Sequence, residues 1–154
     1  MNIVFVSHAE KGPSGGAKII YHHSEIINNL KNFSSEVLHL KKKKLSKLKI
    51  SLKKRLKLDL RDETGWQLDQ VMPVKKFKYK WFNHKIKTRN YFNFDQNKDF
   101  VILPEIFAHL AEDLLIKKGI DYAIFAQNGY VINSTNNEIK LKKAYNQAKF
   151  ILSY

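Results

Sequence analysis

Cysteine is absent from the 154 residues, which excludes disulfide scaffolds, thiolate zinc sites and cysteine nucleophiles and fits a reducing compartment. Long apolar runs are absent as well. Nothing in the chain approaches the roughly 20 consecutive apolar residues that a membrane-spanning helix needs, and the opening Met1-Asn2-Ile3-Val4-Phe5-Val6-Ser7 carries no basic leader. A cytoplasmic protein, neither secreted nor membrane-spanning, is therefore expected. Acid is scarce, with 14 Asp+Glu against 28 Lys+Arg for a formal charge of +14. What is present is 44% hydrophobic residues, 12% of the chain being aromatic, enough to bury a core, so one globular domain spanning 1–154 is expected.

The positive charge is concentrated, and a local block of one sign is an electrostatic footprint where an even surplus only aids solubility. Residues 41–58 carry ten basic residues and no acid, and residues 71–100 carry eight against two, so the rest of the chain holds a net −2. The nearly neutral, strongly patterned flanks read as the fold. The middle, 41–99, reads as a basic, variable insert laid over it.

Ile3-Val4-Phe5-Val6 is a short apolar run of the kind buried on both faces of a parallel sheet. Gly12-Pro13-Ser14-Gly15-Gly16 interrupts it as a loop, and Ile19, Ile20, His23, Ile26, Ile27 and Leu30 then recur at helical spacing, with the helix ending near Asn32. Val37-Leu38-His39-Leu40 is the second strand. In the second flank Phe100-Val101-Ile102-Leu103 is a strand stopped by Pro104, whose ring fits the first turn of a helix. Ile106, Phe107, Leu110, Ala111, Leu114 and Leu115 form that helix's apolar face, and Gly119 is its left-handed cap. Tyr122 to Ala126 is a strand broken at Asn128-Gly129, Glu138 to Lys149 a helix, and Phe150 to Ser153 a last strand whose apolar residues, uncovered, would favour self-association.

In the middle, Leu45, Leu48, Leu52 and Leu56 fit a basic helix better than two short strands, and such a helix suits an anionic membrane surface or a solvated basic face. Lys76-Phe77-Lys78-Tyr79-Lys80-Trp81 alternates strictly, which predicts a strand with one aromatic and one lysine face.

Alternating strands and helices predict an α/β fold, a doubly wound parallel sheet with helices on both faces, in which ligands bind beyond the carboxyl ends of the strands. Ser7 to Gly16, Pro104 to His109 and Gln127 to Tyr130 converge there. Gly15 and Gly16 lie between a first strand and a first helix, where the backbone can approach a phosphate at a helix amino end or simply make a tight turn. The segment is neither a Walker loop nor G-x-G-x-x-G. Glu105, directly after a strand, either binds a ligand hydroxyl or complements a helix amino end. His8 stands at a strand end and His109 one turn beyond Glu105. His23 is read as core, and the pair His22-His23, pointing to different helix faces, predicts no metal site. Asn128-Gly129 is also a plain turn signal.

Pro13-Ser14-Gly15-Gly16-Ala17 and Ser35-Glu36-Val37 resemble the amino-terminal start of GT-B glycosyltransferases, especially retaining enzymes of the family 4 type. Val101-Ile102-Leu103-Pro104-Glu105 and Gln127-Asn128-Gly129-Tyr130 are similar to strand-end motifs of a bacterial subgroup, Ala126 departing from its first Asn. The resemblance covers both flanks and leaves 41–99 uncovered. It implies a Rossmann-like three-layer domain, the acceptor-side half of an enzyme that moves a sugar from a nucleotide-sugar donor to a cell-surface polysaccharide or lipid-linked acceptor at the inner face of the membrane. The donor-binding second domain is missing from these 154 residues, so the chain alone is expected to be inactive and to hold no cofactor, the nucleotide-sugar being substrate. By the same resemblance Gly15 and Gly16 touch the donor pyrophosphate, while His8, Glu105, His109, Gln127, Asn128 and Tyr130 line the acceptor side, with Glu105 and His109 the candidates for a catalytic role. A reading from another class is single-stranded nucleic-acid binding, by lysines interleaved with Phe77, Tyr79, Trp81, Tyr91, Phe92 and Phe94.

Overall fold

The computed structural model describes residues 1–9, 12–43, 68, 71–75, 77–81, 83, 85–127 and 138–153. Strands β1 (Asn2–His8), β2 (Ser34–Lys42), β3 (Val71–Pro73), β4 (Lys87–Arg89), β5 (Asp99–Pro104), β6 (Tyr122–Ala126) and β7 (Ile151–Ser153) form one sheet in the order β3-β2-β1-β5-β6-β7, with β4 also paired to β2. Every pairing is parallel except β2 with β3. The architecture is α/β, a mixed and mostly parallel sheet with helices.

Side-chain period two divides the core between the two sheet faces. Val4, Val6, Leu38, Leu40, Val101, Leu103, Tyr122 and Ile124 belong to one cluster, and Phe5, Val37, Ile102, Ala123 and Phe125 to the other. Helix α1 (Gly15–Asn28) covers the second face through Ala17, Ile20 and Tyr21. On the first face lie a 3-10 turn (Glu105–Leu110), the short α2 (Ala111–Leu114) and α3 (Glu138–Gln147), which supply Phe107, Leu110, Leu114, Leu141 and Ala144.

Helix α1 begins at Ser14, whose hydroxyl accepts from the Ala17 N–H, and it ends at Asn28, four residues before the expected stop. Asn32 adopts the left-handed region at φ 71°. The buried stripe is Ala17, Ile20, Tyr21 and Ser24, rotated from the expected one. Ile26 and Leu30 are about half exposed, because Ser24 and Tyr21 turn inward to bond Ser35 and His39. Past Pro104 the expected single helix divides into the 3-10 turn, α2 and a second 3-10 turn (Ile116–Lys118). Pro104 itself closes β5 with ψ 147° instead of opening a helix. Gly119 does cap the segment, at φ 63°.

The middle of the chain departs most from expectation. Residues 77–81 form no strand. Their alternation survives as burial, with Tyr79 buried and Lys78 and Lys80 exposed, but the edge of β2 where they would pair is taken by β4 at Glu36–Leu38 and by β3 at Leu40–Lys42. The segment instead packs Phe77, Tyr79 and Trp81 against the α1 side of the core. Thus the insert is not merely laid over the sheet: it contributes β3, β4 and the buried Arg89. The basic helix expected around 45–56 lies outside the described residues. Phe150, Ile151 and Leu152 are 48%, 51% and 36% exposed, in agreement with the expected uncovered edge. No helix among the described residues is long and apolar enough to cross a membrane.

Candidate functional site

Because β1 leads through α1 to β2 on one side, while β5 lies on its other side, the strand order reverses between β1 and β5. In open α/β sheets this is where a crevice opens beyond the strand ends. A cavity of about 350 Å³ lies here, lined by Ser7 and His8 from the end of β1, Ser14, Gly16 and Ala17 from the start of α1, Pro104 and Ile106 after β5, and Gln127 after β6. Tyr79 closes it from the insert, its hydroxyl donating to the His8 carbonyl. The His8 ring is held edge-on to Phe107, 6.1 Å between centroids.

The two glycines do different work. A Cβ on Gly15 would meet nothing within 4 Å, whereas one on Gly16 would come within 2.5 Å of Gln127 Oε1. Gln127 Nε2 donates to the Gly16 carbonyl at 3.2 Å, a clamp between the first turn of α1 and the end of β6. The first helical i→i−4 bond is Lys18 N to Ser14 O at 3.1 Å, so the Gly15 and Gly16 N–H groups precede the ladder at the positive end of the helix dipole. This end of the cavity is suited to an anion.

The clamp makes a stability prediction. Gly16→Ala gains about 0.5–1 kcal/mol of helix propensity and sacrifices the Gln127 contact, worth about 1 kcal/mol, so its net effect is small. In a Gln127→Ala background the gain should stand alone. Urea denaturation of the four proteins should therefore give a coupling of about 1 kcal/mol; additivity within about 0.3 kcal/mol would show that the clamp does not exist in solution.

Of the expected site residues, His8, Gly16 and Gln127 are brought together, and Gly15 adjoins them. Glu105 and His109 are both 2% exposed and do not line the cavity, whose wall there is Pro104 and Ile106. Glu105 faces the helical layer instead: burial, and after it the Glu105 charge, push the Tyr145 phenol of α3 upward. Asn128 and Tyr130 lie outside the described residues. His22 is exposed and His23 half-buried, its ring 6.5 Å from Phe5 and 6.1 Å from Phe125. No three of His, Asp and Glu among the described residues stand together as a metal site.

No family model, curated protein or solved structure matches this chain. Two features of the site region were missed from sequence. Tyr79 reaches His8 across 71 residues of chain, and only its alternation with lysines marked it. His39 is wholly buried beneath Tyr21, Phe77 and Tyr79, with Tyr21 Oη 2.6 Å from its Nε2. It looked like one more residue of an apolar strand.

Proposed function

We propose that this chain is the acceptor-side domain of a glycosyltransferase, Rossmann-like in topology, that helps move a sugar from a nucleotide-sugar to a polysaccharide or lipid-linked acceptor. The observation that supports it is the cavity joining His8, Gly16 and Gln127 at the amino end of α1. In that reading the Gly15 and Gly16 N–H groups receive the donor pyrophosphate, neutralised by the helix dipole. His8 and Gln127 supply polar groups for sugar or acceptor hydroxyls. The bond from the sugar's anomeric carbon to the pyrophosphate breaks as one to an acceptor oxygen forms, the acceptor's hydroxyl proton passing to the departing phosphate oxygen, and the role of this domain is binding and orientation. Glu105, buried away from the cavity, is given no part in the reaction. The nucleotide-holding half that such a transfer needs would come from outside these 154 residues.

The nucleic-acid reading is disfavoured by where the rings go. Tyr79 is 3% and Phe94 7% exposed, and Phe77, Trp81 and Phe92 are partly buried against the core, which leaves Tyr91, 57% exposed, as the one largely open ring of the six, short of a platform on which successive bases could stack.

Gly15→Asp separates fold from function. With open space around it, the carboxylate stands at a helix amino end and should leave stability unchanged or raise it by about 0.3–1 kcal/mol. It should also abolish phosphate contact. Addition of UDP-glucose or GDP-mannose at millimolar concentration should shift the amide resonances of Gly16 and Gln127 in the unaltered protein and leave them unmoved in the variant. Identical shifts in both, or none in either, would remove the proposal.

A further inference from the structure

A second, larger groove of about 600 Å³ lies between α1 and β4. Three ammonium groups line it, Lys78 from the crossing segment and Lys85 and Lys87 from the approach to and start of β4, together with Thr88, Phe77 and Ile86. Tyr21 and Asn28 also reach the wall, but their polar atoms are engaged, the Tyr21 hydroxyl with His39 and the Asn28 amide with the backbone of Ser35. No carboxylate among the described residues lines the groove.

Only some of the described lysines stand against an acid, and three that do not are gathered around this one concavity. Lys98, Lys117, Lys140, Lys142, Lys143 and Lys149 each stand 2.5–3.4 Å from a carboxylate. Lys78, Lys85 and Lys87 have no such partner among the described residues. Three like charges around one concavity repel one another, and the compact partner that relieves the repulsion is an anion of more than one charge. A phosphate group fits best, with oxygens for several ammonium donors and for the Thr88 hydroxyl. Phe77 and Ile86 offer an apolar surface to whatever the phosphate is attached to.

We infer that the groove between α1 and β4 is a binding site for a phosphate monoester or pyrophosphate group, distinct from the cavity at the start of α1. Different residues line the two, which adjoin where Tyr21 follows Ile20 and Lys78 precedes Tyr79. The site does not depend on the glycosyltransferase reading.

The test compares two variants that lower the net charge equally. One replaces the groove lysines (Lys78→Gln, Lys85→Gln, Lys87→Gln); the other replaces surface lysines elsewhere (Lys98→Gln, Lys142→Gln, Lys149→Gln). All six are exposed, and matching melting temperatures verify folding. Calorimetric titration with inorganic pyrophosphate and with glycerol 3-phosphate at low salt should show Kd raised by about tenfold or more in the groove variant and within about twofold of the parent in the other. Equal losses would assign binding to the general positive field, and no loss in the groove variant would place the anion elsewhere; either result overturns the site. Flotation with vesicles containing phosphatidic acid then identifies the source. Groove-dependent flotation indicates a lipid headgroup, and groove-dependent binding of the soluble esters alone indicates a free phosphate ester.

Discussion

Arg89→Met should cost about 3–5 kcal/mol, the range for removing one partner of a buried ion pair, and so take a large share of the roughly 5–15 kcal/mol that holds a domain of this size. The Arg89 guanidinium, on β4, donates from Nη1 and Nη2 to both Asp99 oxygens at 2.6 and 3.0 Å, from Nε to Glu36 at 2.8 Å, and to the Asn93 carbonyl at 3.0 Å. Asn2 Nδ2 donates to Asp99 from the other side at 2.8 Å. The cluster therefore ties β4 to the starts of β1, β2 and β5, at the sheet end opposite the cavity. Burial pushes the Asp99 carboxyl up, and the hydrogen bonds from Arg89, Asn2 and the Asp95 N–H more than reverse it, so its pKa ends below the usual carboxylate range. Without the guanidinium, a carboxylate whose side chain is 5% exposed is left uncompensated. Arg89→Met with Asp99→Asn should recover part of the loss, since an amide carries no charge to desolvate. Urea denaturation decides it: a cost below about 1 kcal/mol, as for a surface pair, would mean that the insert is only laid over the sheet.

The same cluster shows why the middle of the chain was illegible. Val71-Met72-Pro73 and Lys87-Thr88-Arg89 are three residues each, too short for any period, and their positions are set by what β2 leaves open and by the ions that Arg89 meets far away in sequence. The runs at Val4, Val37, Val101 and Ile124 could be read because a strand buried on both faces needs consecutive apolar residues, and Gly119 because a left-handed cap favours glycine. Alternation at 77–81 foretold which side chains turn inward, but it carries no information about hydrogen-bond partners. The isoleucines of α1 were misread for a related reason. Ile26 and Ile27, together with His23, line an apolar groove of about 480 Å³ with Phe100, Ile102 and Leu152, while polar pairs such as Ser24 with Ser35 fix the helix's rotation. At the site, His8, Gly16 and Gln127 were accessible from their place at strand ends. Tyr79 was not, and Glu105, equally well placed in sequence, turns the other way because the chain enters a 3-10 turn at that residue.

Lowering the pH from neutral to about 4 should remove on the order of 3 kcal/mol of stability through His39 alone. Its ring is fully buried and burial lowers its pKa from 6.5 to about 4. The groups facing it are neutral: Tyr21, whose phenol is pushed above its usual range by burial and then by Tyr79, and the rings of Phe77 and Tyr79. In the unfolded chain His39 takes up its proton near 6.5 and in the folded chain only near 4. Between those values the unfolded state binds more protons, so stability rises with pH across the window. The contribution is complete above about 6.5, declines as the pH falls, and has no further slope below about 4. Asp99, also depressed when folded, acts lower: its contribution is present above the ordinary carboxylate pKa and is lost as the pH falls through the folded value. The two are separable. His39→Gln can keep a hydrogen bond to Tyr21 but cannot titrate, so its stability between pH 6.5 and 4 should lose this dependence while the fall below 4 persists. A parent protein equally stable at pH 7 and 4.5, or a glutamine variant with the parent's slope, would show that the imidazole is reached by water and that the Tyr21, Phe77 and Tyr79 lid over β2 is not closed in solution.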